Sequence, residues 1–232
     1  PYPWPHMTAV EGIIGGGMEY PMITLIGGRR GGGRSLFGVT YHEIAHMWFP
    51  MIVGSDEKEL TWMDEGLTVF NTSLSMADYY DSEVERPGDD RGYQMVVRME
   101  MQEPIMGHAD HAEHMFGQNV AAYSKPGMLL HTLRHMIGQE TFDAFYKDYA
   151  ATWAFKHPMP WDFFAMFSEA AGTDMDWFWQ PWFYGEATLD QAVDEVVPGL
   201  SERAELHPVE ALRKIAATLV EAAAGTTALD QF

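Results

Sequence analysis

The spacing of hydrophobic and polar positions changes along the chain and predicts a short β region followed by a long helical region. Two short runs, Thr8 to Ile14 and Tyr20 to Ile26, are rich in β-branched and aromatic residues, which favour strands. The glycine-rich stretch from Gly15 to Pro21 lies between them. It either lets an extended peptide approach a sheet edge or forms a hairpin with one exposed acid, and its composition fits both.

After these strands, apolar residues recur at helical spacing between proline and glycine breaks. A helix is predicted from Leu36 to Phe49, where Pro50 prevents its continuation. A second is predicted from Trp62 to Tyr80, and a third begins at Lys125-Pro126-Gly127 and ends at Gly138. Further helices are predicted over residues 93–103, 141–155, 161–171 and 174–183.

The order of these elements predicts an α+β fold with a small sheet and a mainly helical lobe. Residues 1–36 would form the sheet and its glycine loop, and residues 37–195 the helical lobe. The Ala-rich tail, residues 196–232, is predicted to be a C-terminal helical appendage. It would be either a separate subdomain or a partly mobile extension.

Composition narrows the classes of partner. The 232 residues are 47% hydrophobic, enough for a large core, and 14 Lys and Arg oppose 34 Asp and Glu. A formal charge of −20 argues against nucleic acid or an anionic membrane as a partner. No apolar run reaches the ~20 residues of a membrane helix, and the Pro-rich opening does not resemble a signal peptide. That opening is compatible with a missing upstream domain, and the compartment stays undetermined.

The main chemical signal is a His-Glu-x-x-His motif formed by His42, Glu43 and His46. On a helix, residues four apart share a face, so both imidazoles can bind one ion while Glu43 faces the same cleft. The chain has no cysteine, so any zinc ligand must be nitrogen or oxygen. The motif therefore predicts a hydrolytic zinc site, which needs a third protein ligand.

Glu65 is the best candidate for the third ligand. A metzincin pattern would require glycine and histidine where the chain has Phe49 and Ile52. Thr61 and Asp64 suggest a capping arrangement that would put Glu65 in the first turn of the second helix. The alternative, a surface helix with two incidental histidines, is disfavoured because the helix is largely apolar and buried histidines need partners.

Two other segments carry weaker chemical signals. The loop from Gly27 to Ser35 nearly matches a phosphate-binding loop, but Arg34 replaces the required lysine, so a flexible connection is the favoured interpretation. His108, His111 and His114 recur at a spacing of three. A second metal site there is an alternative to the favoured solvated or outer-sphere role.

Four motifs resemble the aminopeptidase N and leukotriene hydrolase family of gluzincins. G-G-M-E-Y resembles the exopeptidase signature G-x-M-E-N, and H-E-I-A-H-M-W resembles the zinc helix. W-M-D-E-G is similar to W-L-N-E-G, and Y-S-K-P-G to Y-x-K-G. The motifs occur in the family's order, and the resemblance spans roughly residues 1 to 195.

The resemblance implies a thermolysin-like catalytic domain that binds one Zn²⁺ and cleaves N-terminal residues from peptides with a free amine. Glu43 would be the general base, Tyr123 would stabilise the oxyanion, and Glu19 would hold the substrate amine. The implied zinc ligands are His42, His46 and Glu65, and the implied substrate-binding residues are Gly16, Gly17, Met18 and Glu19.

The chain departs from the family pattern at three positions. Tyr20 and Asp64 each replace an asparagine, and Pro126 interrupts the Lys-Gly pair. These departures bear on substrate preference more than on chemistry. The family's flanking domains have no counterpart in these residues, which keeps one alternative open: a zinc-containing domain that binds peptides without cleaving them.

Overall fold

Three short strands form one mixed sheet in the structure, a computed structural model that describes residues 2–27, 33–82 and 91–186. The strands are β1 (Thr8–Gly12), β2 (Gly17–Tyr20) and β3 (Ile23–Gly27). β3 is central, with β1 parallel on one side and β2 antiparallel on the other. β2 is thus an edge strand of the described sheet.

The sheet differs from the sequence prediction by one strand. The predicted strand from Tyr20 to Ile26 is broken, because Pro21 and Met22 form a tight turn. Met22 has a φ of 61°, and proline before a positive-φ residue is typical of a type II turn. Residues before the turn then pair back on β3, so the glycine-rich stretch supplies a strand of its own.

The helical lobe follows the predicted order with shifted boundaries. The first two helices are α1 (Gly33–Ala45) and α2 (Leu67–Tyr79). They pack against each other and carry the residues around the His-Glu-x-x-His motif. The remaining helices are α3 (Arg91–Arg98), α4 (Met115–Ala122), α5 (Ser124–Ile137), α6 (Gln139–Thr152), α7 (Pro160–Ala171) and α8 (Asp176–Trp179).

Two π-helical turns extend this list, at Trp62–Gly66 and Gln180–Tyr184. The first replaces the predicted start of the second helix. The predicted cap is wrong, because the Thr61 hydroxyl donates to the carbonyl oxygen of Glu57 at 2.8 Å and caps no helix. All five residues of the first π turn are buried, so tertiary packing rather than a polar cap holds it.

The core lies in the helical lobe and is largely aromatic. Leu130, Leu133, Phe142, Phe163 and Phe167 are each fully buried. The Trp62 ring of the first π turn enters this core edge-on to Phe163, with ring centroids 5.8 Å apart. The core therefore anchors the turn that carries Glu65.

Several helix boundaries in the structure differ from the predicted ones. The first helix begins before Leu36 and ends at Ala45, and the helix predicted over 93–103 ends at Arg98. Gly138, with a φ of 85°, does end α5 as predicted. The tail 196–232 and residues 28–32 of the glycine loop lie outside the described residues. Within the described parts, no helix has the length and apolarity to span a membrane.

Candidate metal centre

Two elements bring the predicted ligands together. His42 lies in the last turn of α1, and His46 directly follows its last residue, with its backbone N–H still donating to the His42 carbonyl at 3.2 Å. Glu65 comes from the first π turn. The helical spacing of four residues is therefore kept, and both imidazoles face the Glu65 carboxylate.

Three donor atoms form a nearly equilateral triangle. His42 Nε2 lies 3.0 Å from Glu65 Oε2 and 3.1 Å from His46 Nε2, and the third side, from His46 Nε2 to Glu65 Oε2, is 3.3 Å. A tetrahedral zinc ion with bonds of ~2.0–2.1 Å sets its donor atoms ~3.3–3.4 Å apart. The triangle and its N,N,O donor set therefore fit one zinc ion.

The electrostatics of the triangle favour a cation. Burial alone would lower the pKa of His46, but hydrogen bonds with Asp64 and Glu65 raise it to about 11. Burial would raise the pKa of Glu65, but hydrogen bonds from His42 and His46 lower it to about 2. The carboxylates thus stabilise a positive charge beside His46 Nε2, which a proton or a metal ion can supply.

His46 is held by buried oxygen atoms on its far side. Its Nδ1 lies 2.9 Å from the Phe49 carbonyl oxygen, and because a carbonyl only accepts, Nδ1 carries a proton and Nε2 faces the triangle. Asp64 Oδ1 lies 2.8 Å from the same Nδ1. The Thr68 hydroxyl donates to the Phe49 carbonyl at 3.0 Å. The outer contacts therefore fix the orientation of the ring.

The contacts that Asp64 and Thr68 make behind His46 were not predicted from the sequence. Asp64 is 3% exposed, and burial raises its pKa to about 7 although the contact with His46 opposes the rise. Thr68 is fully buried four residues later. The sequence signal that could have identified them is their spacing, since Asp64 and Thr68 are polar residues four positions apart next to the predicted ligand Glu65.

Glu43 lies beside the triangle with one oxygen uncommitted. It is 4% exposed, and its Oε2 has no hydrogen-bond partner among the described residues. Burial raises its pKa to about 7; Glu19 and Glu65 add to the rise, while His46 opposes it. A Cβ at Gly17 would overlap the Glu43 side chain, so glycine lets β2 pass this close without displacing the carboxylate.

Tyr123 lies at the same centre, between α4 and α5. Its hydroxyl donates to Glu65 Oε1 at 2.5 Å, and its ring stacks on His42 with centroids 6.1 Å apart. Burial and the neighbouring Glu65 carboxylate raise the pKa of Tyr123 well above its usual value. The hydroxyl therefore keeps its proton and is a hydrogen-bond donor.

Glu19 reaches the centre from the edge strand β2. One ligand atom each from Glu19, His46 and Asp64 lie within 4.8 Å of one another. Gly16, with a φ of 100°, accepts a hydrogen bond from the Gly27 N–H at 2.7 Å. This contact fixes the start of the strand. Gly17 thus lies on the side of the centre that Glu43 faces, and Glu19 shares that face of the strand, whereas the Met18 side chain is exposed on the other face.

The three downstream histidines do not gather around one point. His108 and His111 stack with ring centroids 4.8 Å apart, and His114 Nδ1 lies 3.4 Å from Glu103 Oε1. Within the described parts of the chain, every group of three possible metal ligands includes His46. The alternative of a second metal site at these histidines therefore has no geometric support there.

Comparison with known proteins finds matches over most of the chain. The sequence model of the peptidase family M1 domain matches residues 1–182. A leucine aminopeptidase 2 from Lodderomyces elongisporus is 27% identical, with 77% of this chain and 33% of the relative aligned. A leukotriene A-4 hydrolase homolog from Botryotinia fuckeliana is 24% identical, with 79% of this chain and 31% of the relative aligned. The chain thus spans about a third of these relatives.

Solved structures share the fold. The M1 zinc metallopeptidase from Deinococcus radiodurans superposes with a TM-score of 0.63 and 19% identity, covering 82% of this chain and 41% of that one. Leukotriene A4 hydrolase from Saccharomyces cerevisiae gives a TM-score of 0.63 and 20% identity, covering 83% of this chain and 33% of that one. The small mixed sheet with a mainly helical lobe is therefore the fold of these catalytic domains.

Proposed function

Because the chain belongs to peptidase family M1, we propose that it is a zinc-dependent aminopeptidase that removes N-terminal residues from peptides. The observation that carries this proposal is the triangle of His42 Nε2, His46 Nε2 and Glu65 Oε2 beside the uncommitted oxygen of Glu43. Holding a metal requires the triangle alone, whereas a buried carboxylate without a partner next to it is suited to proton transfer.

His42, His46 and Glu65 would hold one zinc ion. When bound, zinc polarises the substrate carbonyl and makes a water molecule more acidic. Three protein ligands leave a tetrahedral ion one open position, as catalytic zinc sites require. The Phe49 carbonyl, itself held by the Thr68 hydroxyl, would keep His46 Nε2 directed at the ion.

Glu43 would move the proton. Its buried Oε2 would accept a proton from the attacking water, and the same oxygen would then give that proton to the amine nitrogen of the leaving peptide. The raised pKa of Glu43 suits a group that must both take and return a proton near neutral pH. The close approach of Gly17 would exclude competing water from one side of the carboxylate.

Tyr123 would stabilise the negative charge that develops on the carbonyl oxygen. Its hydroxyl is a protonated donor that now points at Glu65 Oε1. Rotation of this hydroxyl from Glu65 toward the developing oxyanion would add a hydrogen bond in the transition state. The stacking of its ring on His42 would keep the hydroxyl within reach of the reacting carbonyl.

β2 and Glu19 would bind the substrate. β2 is an edge strand of the described sheet, so an extended peptide can add alongside it. The Glu19 carboxylate would then pair with the terminal ammonium and set the first peptide bond at the metal. One structure of the Deinococcus radiodurans enzyme, an E323A mutant, is bound to a Tyr-Ser-Ala substrate.

An arylamide assay with defined metal content tests the proposal. The full chain, loaded with one equivalent of zinc, should release arylamine from aminoacyl arylamides, and acetylating the substrate amine should abolish release. Glu43→Gln is the matched control, since it should bind zinc equally and release nothing. Equal rates on free and acetylated substrates would refute the aminopeptidase and leave an endopeptidase.

The alternative is a zinc-containing domain that binds peptides without cleaving them. The observation in its favour is that the chain aligns with only about a third of the length of each of these relatives. Calorimetric titration with a free-amine peptide separates the two functions. Binding to the zinc-loaded chain without product on overnight incubation would establish the alternative.

A further inference from the structure

Asp64 is a second buried carboxylate beside a predicted metal ligand. It is 3% exposed and precedes Glu65 in the π turn, but it contacts the opposite side of the His46 ring. Glu65 lies near Nε2, whereas Asp64 Oδ1 lies 2.8 Å from Nδ1. The imidazole is therefore placed between two carboxylates, and only Glu65 belongs to the donor triangle.

The Phe49 carbonyl already orients the ring without Asp64. It accepts from Nδ1 at 2.9 Å and also receives the Thr68 hydroxyl at 3.0 Å. The tautomer of His46 and the direction of its ring are thus set by two neutral groups, the Phe49 carbonyl and the Thr68 hydroxyl. What Asp64 adds is a negative charge in a buried site, where a charge acts more strongly on its neighbours than at the surface.

We propose that Asp64 is a positioning residue whose charge makes His46 Nε2 a stronger zinc ligand. A carboxylate held close beside the outer nitrogen of a ligating histidine increases electron donation from the inner nitrogen. The motif that W-M-D-E-G resembles has asparagine at this position, so this chain has a buried carboxyl group, which can carry a negative charge, where the pattern has a neutral amide. The inference rests on one part of the proposed function, the binding of zinc by His42, His46 and Glu65, and does not require that the chain cleaves peptides.

The test is the zinc affinity of the full chain, measured by competition with a chromophoric chelator at fixed pH and salt. Asp64→Asn keeps the size and polarity of the side chain and removes its charge. It should weaken zinc binding about 10- to 100-fold, the usual effect of losing such an outer partner. Asp78→Asn removes an exposed charge of α2 and is the control for net charge; it should change the affinity less than about twofold.

Asp64→Ala separates charge from packing and hydrogen bonding. If the charge matters, asparagine and alanine should weaken zinc binding to a similar extent. If Asp64 only fills space or accepts a hydrogen bond, asparagine should restore the affinity that alanine loses. Wild-type affinity in Asp64→Asn would overturn the proposal, whether or not the chain cleaves peptides.

A measurement on the zinc-loaded wild type covers the case in which the variants do not fold. An imidazole N–H that lies beside a buried carboxylate resonates downfield of an imidazole N–H without such a neighbour in proton NMR. The Nδ1–H of His46 should therefore resonate downfield of that of His42, whose Nδ1 has no carboxylate contact among the described residues. Equal shifts would overturn the proposal, and because no substrate is present, a failed peptidase assay leaves this result unaffected.

Discussion

The two sides of the candidate centre differ in how they are supported. The metal side rests on α1 and the first π turn, where His46 and Trp62 are fully buried. The substrate side rests on a sheet whose β1 strand is exposed at four of five positions. The positions of the predicted metal ligands are therefore fixed by a packed interior, whereas Glu19 lies on the edge strand of a small and partly exposed sheet. Substitutions on the metal side should affect all turnover, and those on the sheet side mainly selectivity.

Removing a metal ligand should have the largest effect. His46→Ala takes away one side of the triangle and leaves Asp64 and Glu65 without their shared partner. We expect zinc affinity to fall by more than about 100-fold, beyond the loss for an outer contact, and turnover to disappear with it. Chelator competition together with the arylamide assay measures both. Stoichiometric zinc in the variant would contradict the ligand assignment.

Glu43→Gln should separate chemistry from metal binding. The amide fits the buried position but cannot accept the proton, so kcat should fall by about 10²- to 10⁴-fold. Zinc content should stay at one equivalent, because Glu43 is outside the triangle. Atomic absorption on the same preparation supplies the control, and a variant with wild-type kcat would show that another group is the base.

Tyr123→Phe should cost less, because it removes a single donor. We expect kcat to fall by about 10²- to 10³-fold with little change in KM, since the hydrogen bond to the oxyanion forms in the transition state. Loss of the hydroxyl also releases Glu65 Oε1, so zinc affinity must be measured in parallel. A near-normal kcat at full zinc occupancy would remove Tyr123 from the mechanism.

Glu19→Gln should have the smallest effect and a different character. A hydrogen bond to a charged group contributes about 1.5–3 kcal/mol, so kcat/KM for free-amine substrates should fall roughly 10- to 100-fold. The preference for free over acetylated substrates should narrow by a similar factor, and zinc binding should be unchanged. An unaltered preference would place the amine anchor elsewhere and break the contrast between the two sides.

Local spacing made part of this centre predictable from the sequence. His42, Glu43 and His46 follow from helical period alone, and Gly138 ends α5 as its residue type suggests. The resemblance supplied Glu19 and Tyr123, and their proximity to the triangle is a tertiary fact. The family and the fold that the resemblance implied are confirmed by the matches to known proteins.

Other features depended on contacts between distant residues. The first π turn is stabilised by Trp62 in an aromatic core built from later helices, so the local capping rule gave the right start of the helical segment, at Trp62, for the wrong reason. β2 exists because its residues find β3 across a two-residue turn. The Asp64 contact with His46 joins two segments, and no short window of sequence contains it.

Gly66 packs closely against Pro126, so a substitution in the W-M-D-E-G motif constrains which residues the Y-S-K-P-G motif can accept. A Cβ at Gly66 would come within 2.6 Å of the Pro126 ring, so the Glu65 turn and the start of α5 after Tyr123 have no room between them. A variant library that randomises position 66 alone would therefore consist mostly of strained members. Varying both positions together, with small residues paired against large ones, is the way to sample this part of the molecule, and descendants of the chain should covary there.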